Sequence, residues 1–158
     1  MRQMNNMKKL LVCILFVLFG SQASAWVSKE FIPANVSLIT VTLDDQAKDG
    51  CWTNIGEVKR YTEDKLELVD FKVSREKFNT YKDKNHYLLG VKVNANRNGG
   101  KCYGVIDLTI FRGAWSNNIA GLIFVGKHGG TFSGHDNANQ LALNYINFFI
   151  KQVEDPQW

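Results

Sequence analysis

Residues 126–136, GKHGGTFSGHD, place two histidines, a lysine, an aspartate and four glycines within eleven positions. No other stretch of the chain offers comparable chemistry. His128 and His135 could serve as an acid/base pair with Lys127 stabilising developing charge, the equipment of phosphodiester cleavage. His128, His135 and Asp136 are also imidazole and carboxylate donors of the type that binds zinc. A structural reading accounts for more of the same residues. Ser133-Gly134-His135-Asp136 has the Ser-x-x-acid spacing of a helix cap, with Ser133 accepting from the amide of residue 136. Asp136 then sits in the first turn, where the helix dipole attracts a carboxylate. Gly129 and Gly130 supply a turn, and only His128 is left over. The expectation is a turn and a cap, with no metal and no cofactor. A phosphate cradle would need Gly-x-x-x-x-Gly-Lys-Ser/Thr, which is missing.

Two other segments contain recognition chemistry. REKFNTYKDKNH (75–86) interleaves Arg75, Lys77, Lys82 and Lys84 with Phe78 and Tyr81, a composition that can hold a polyanion or an acidic protein surface. Glu76 and Asp83 dilute its charge, so a solvated connection is the default and Arg75, Lys77, Tyr81 and Lys82 are secondary candidates. Trp115, in the turn RGAWSNN, is a better contact anchor, because tryptophan brings large area at small entropic cost. A loop over 112–118 could present it, or it could fold back on the sheet edge. Trp52, beside Cys51, is expected to pack on a disulfide. Glycoside cleavage needs two carboxylates at a set separation. Asp107 and Glu57 are the available acids, and nothing in the sequence pairs them. There is no Gly-x-Ser-x-Gly elbow.

The N-terminus reads as a secretory leader. Arg2, Lys8 and Lys9 precede an apolar run that is too short to span a bilayer, and Ala23-Ser24-Ala25 has the small-x-small form of a cleavage site. Cleavage before Trp26 leaves one domain over 26–158 without a membrane anchor. It also removes three of the 19 basic residues, so 16 stand against 15 acidic ones and the net charge falls from +4 to +1. Net basicity is therefore no evidence for nucleic-acid binding, which requires a concentrated positive field and is not expected. Cys51 and Cys102 remain, and an even count in an exported chain predicts their disulfide.

The elements that must position these residues follow from hydrophobic period. NVSLITVTLDD (35–45) predicts a strand. Asn54 and Glu57 predict a helix cap before Ile55, Val58, Tyr61, Thr62 and Leu66, which recur at helical spacing. LVDFKV alternates as a strand with one wet face. YLLGVKVN and CYGVIDLTIF predict a hairpin around Asn98-Gly99. IAGLIFVG, apolar on both faces, predicts an interior strand. From about Gly134 to Val153, Asn137, Gln140, Asn144, Asn147 and Lys151 form one polar stripe on a helix buried over most of its circumference. The order β-α-β-β-β-β-α predicts an α+β two-layer sandwich, with a mostly antiparallel sheet of about five strands and two helices.

Three functions fit these residues. The first is an exported, periplasmic, non-enzymatic accessory protein that binds another envelope protein or a ligand. The second is a small secreted hydrolase using His128 and His135. The third is an inhibitor or immunity-type protein of an exported enzyme.

Overall fold

The structure, a computed structural model, describes residues 30–78, 85–117 and 119–155. The leader expected over 1–25, with Trp26, lies outside these residues, as do Tyr81, Lys82 and Lys84. The elements are β1 (Leu38–Ala47), α1 (Ile55–Leu68), β2 (Val73–Ser74), β3 (His86–Asn98), β4 (Lys101–Ser116), β5 (Ile119–His135) and α2 (Asn139–Glu154). They form one five-stranded sheet in the order β2-β1-β3-β4-β5, with both helices on one face. This is an α+β fold, and its two long hairpins, β3–β4 and β4–β5, make the sheet mostly antiparallel. β1 runs parallel to both β2 and β3. The chain therefore crosses over through α1, where hairpins alone would have kept every neighbour antiparallel.

Side-chain alternation sorts the strands into a core face and a bare face. Val41, Leu89 and Ile110 share one register row, and Leu89, Val91 and Val93 pair with Ile110, Leu108 and Ile106. All are buried under the helices. α1 contributes Val58 and Leu66, and α2 contributes Ala142, Ile146, Phe149, Ile150 and Val153 at helical spacing. Phe31, in a segment with no periodic signal, closes one end of this core. Its ring stands 5.2 Å from both Phe71 and Tyr87 and 6.0 Å from Phe149.

Several local expectations need correction. LVDFKV is mostly not a strand: α1 runs through Leu68, Asp70 takes φ 67°, and only Val73 and Ser74 pair with β1. α2 does expose Gln140, Asn144 and Lys151 of the expected polar stripe, but Phe148 is exposed beside them, because a single helical layer leaves its outer side uncovered. IAGLIFVG is not interior. It is the first half of β5, the outermost strand.

Candidate functional site

GKHGGTFSGHD is neither an active-site loop nor a turn. Residues 126–135 are the second half of β5, paired with β4. Glycine is needed there by crowding. A Cβ on Gly129 would collide with the Asp107 carboxylate and come within 2.6 Å of the Ile106 carbonyl oxygen. One on Gly130 would strike the Tyr145 hydroxyl. Ser133, inside the strand, cannot cap α2. That helix has Ala138 at its N-cap, and Asn137 Oδ1 accepts from the Asn139 amide at 3.0 Å. Asp136 instead takes a 2.6 Å bond from Lys101 Nζ, which holds its carboxyl below the usual range.

The strand separates the catalytic candidates. His128 and His135 stand seven residues apart, about 20 Å along an extended chain. His128 turns toward α2, with its ring 4.7 Å from Phe148 and 5.4 Å from Tyr145, and burial lowers its pKa. Lys127 points to the opposite face and pairs with Asp107 at 3.0 Å. Asp107 lies on the bare face and Glu57 on α1 across the sheet, so they form no carboxylate pair. Among the described residues no group of three or more His, Cys, Asp or Glu could hold a metal ion.

The other candidates are placed as follows. Arg75 is tied to Glu67 at 3.0 Å, and Lys77 is exposed. Tyr81 and Lys82 lie outside the described residues. The backbone of Trp115 pairs with Ala120 near the end of β4, so the expected loop 112–118 is strand as far as Ser116. Asn54 occupies the N-cap of α1, and its Nδ2 donates to Glu57 Oε2 at 3.3 Å, not to a helix amide. Cys51 and Cys102 are joined, with their Cα atoms 5.7 Å apart. Trp52 is buried in the core.

Sequence reasoning missed two features. Thr40 Oγ1 and His86 Nε2 share a 2.7 Å hydrogen bond, but both residues are buried and Phe78 lies 4.5 Å from the imidazole, so solvent cannot reach the pair. Strand parity could have placed His86 opposite Tyr87 in facing. The second feature is the bare first half of β5. Ile119 is 72% exposed, Leu122 49%, Ile123 46% and Phe124 57%. Leu122 and Phe124 lie on the bare face, where Phe124 meets Phe111 at 5.9 Å. Ile123 lies on the core face, beside a hollow of about 220 Å³ shared with Phe31, Tyr87 and Arg112. α2 covers the second half of β5 through Tyr145 and Phe148 and leaves this half open.

No protein-family profile matches the chain, and no curated protein does. Solved structures are similar at a distance. The PelC dodecamer from Paraburkholderia phytofirmans is 14% identical with a TM-score of 0.43, over 77% of this chain and 89% of that one. The hypothetical protein CT253 from Chlamydia trachomatis is 7% identical with a TM-score of 0.44, over 75% and 96%. Lipoprotein GNA1162 from Neisseria meningitidis is 8% identical with a TM-score of 0.41, over 75% and 97%.

Proposed function

We propose that this is an exported, non-enzymatic protein of the bacterial envelope that works in the periplasm by binding another protein. The observation that carries the reading is the apolar first half of β5. A monomer rarely leaves an unpaired strand edge beside several large exposed apolar side chains, since such an edge is a template for pairing. The separation of His128 from His135 along the strand, and from Lys127 across the sheet, supports binding over catalysis. The leader-like N-terminus and the Cys51–Cys102 disulfide support an oxidising compartment. A near-neutral processed chain supports a protein partner over nucleic acid.

The test is a photo-crosslinking residue placed at Phe124 in cells, with one at Asp64 on the exposed side of α1 as control. A protein adduct is expected from position 124 and none from 64. No adduct at 124 would overturn the reading. So would a phosphodiesterase activity abolished by His128→Ala or His135→Ala, which would return the protein to the hydrolase class. An adduct with an exported enzyme that the protein then inhibits would move it to the inhibitor class.

A further inference from the structure

We propose that the occupant of this edge is a second copy of the same chain, the two β5 strands pairing antiparallel about a two-fold axis through Leu122. The inference rests on the contact-surface reading above and names the partner. The sheet's two edges are unlike. One is the two-residue β2, which covers only Ile39 and Thr40 of β1, and beyond it the outer run of β1 carries Asp44 and Asp45, charges that discourage pairing. The other is the 17-residue β5, whose first eight residues carry no charge and no proline.

The order of side-chain sizes along Ile119-Ala120-Gly121-Leu122-Ile123-Phe124-Val125 fits its own reverse. With Leu122 opposite Leu122 of the second copy, Gly121 faces Ile123 and Ala120 faces Phe124, small against large on both sides of the axis. The space above Gly121 is open, with no atom within 4 Å of where a Cβ would stand. An isoleucine arriving from the second copy would fill it. An axis through a residue also keeps both helical layers on the same side of one continuous sheet, because directly opposed residues in a ladder share a face.

Charge selects this offset over the fuller overlap. Aligning the two strands at their midpoints would put Lys127 opposite Lys127, and like charges directly opposed destabilise a ladder. Pairing through Leu122 sets Lys127 against Asn117. The strand segment and its side chains would bury on the order of 1,000 Å² in total, the lower bound for a specific interface. The dimer should therefore be reversible at micromolar concentration.

Sedimentation of the purified protein, expressed from the full sequence, tests this. The expected result is twice the chain mass at high concentration and the chain mass on dilution. Leu122→Lys and Leu122→Glu should each sediment as monomers with wild-type thermal unfolding, because a residue on the axis opposes its own charge. Mixed in equal amounts, the two variants should associate one to one. Gly121→Lys, placed where the monomer has open space, should also be monomeric and gives a second route if a Leu122 variant fails to fold. A wild-type protein that stays monomeric would overturn the proposal, as would a Leu122→Lys dimer or a mixture that does not associate. The two readings remain separable. A Phe124 crosslink to a different protein, with a monomeric wild type, removes the second copy and keeps the contact surface. A crosslink of doubled chain mass supports the second copy and keeps this edge as a contact surface, and no crosslink removes both.

Discussion

The imidazole of His128 lies nearly parallel to the ring of Phe148, with centroids 4.7 Å apart and planes inclined by 20°. The contact ties the middle of β5 to α2 and holds the histidine partly out of water. Desolvation lowers its pKa below the ordinary 6.5, so the folded state binds the proton less readily than the unfolded chain. Stability should fall as pH drops through 6.5 toward the lowered folded value, and the deficit should then stay constant. Urea unfolding at about pH 7.5 and about pH 5 should show this loss in the wild type and a smaller one in His128→Leu. His128→Ala should cost about 1 kcal/mol at neutral pH from the lost ring contacts. His135→Ala, at the exposed end of the strand, should stay within about 0.5 kcal/mol.

The start of α2 depends on asparagines. Asn139 Oδ1 accepts from the Thr53 amide at 3.0 Å and its Nδ2 donates to Thr53 Oγ1 at 2.8 Å, which joins α2 to the segment before α1. Asn139→Ala should therefore cost about 1 kcal/mol, the net loss of two exposed bonds that water partly replaces. Ser133→Ala, in an exposed strand position, should be nearly neutral, within about 0.5 kcal/mol. Paired thermal melts distinguish a helix start at Asn139 from one capped at Ser133.

The disulfide closes a loop between residues 51 positions apart, and both cysteines are fully buried. On the chain-entropy account, removing it should destabilise the fold by about 4 kcal/mol. Protein purified after export should have a mass two hydrogens below that of its reduced form, and one linked peptide should contain Cys51 and Cys102. Its N-terminus should be Trp26 by sequencing. Two thiols open to alkylation without denaturant would contradict the prediction.

Gly104 and Gly129 occupy β4 and β5 where no side chain fits. A Cβ at Gly104 would overlap the Asn94 carbonyl oxygen and lie 2.7 Å from the Ala95 Cα, so backbone would have to move. Gly104→Ala should cost about 3 kcal/mol or more, at the upper end of overpacking. Gly129→Ala should also weaken the Lys127–Asp107 pair by displacing the carboxylate. Gly121→Ala, in open space, should leave thermal stability near wild type. Chemical denaturation of the three variants checks this ranking.

Much of the fold was legible because its signals are local. The helical period of Ile55, Val58, Thr62 and Leu66 places α1 to within a few residues, and the Asn98-Gly99 signal finds the β3–β4 hairpin, whose turn falls one residue later at Gly99 and Gly100. The cysteine pair follows from count and compartment. Reading GKHGGTFSGHD as a turn was reasonable by propensity, since glycine disfavours strands when nothing else acts. What overrides propensity is tertiary contact: Asp107 of β4 and Tyr145 of α2 fill the room that side chains at 129 and 130 would need. That contact lies between residues distant in sequence, and no local pattern records it. The same limit explains IAGLIFVG. Apolar residues on both faces state that a strand needs cover, and the sequence carried that demand correctly. Whether the cover is another strand of the same sheet depends on strand order, which long-range pairing sets. Here β1, β3 and β4 fill the interior places and β5 is left at the edge with its apolar half uncovered.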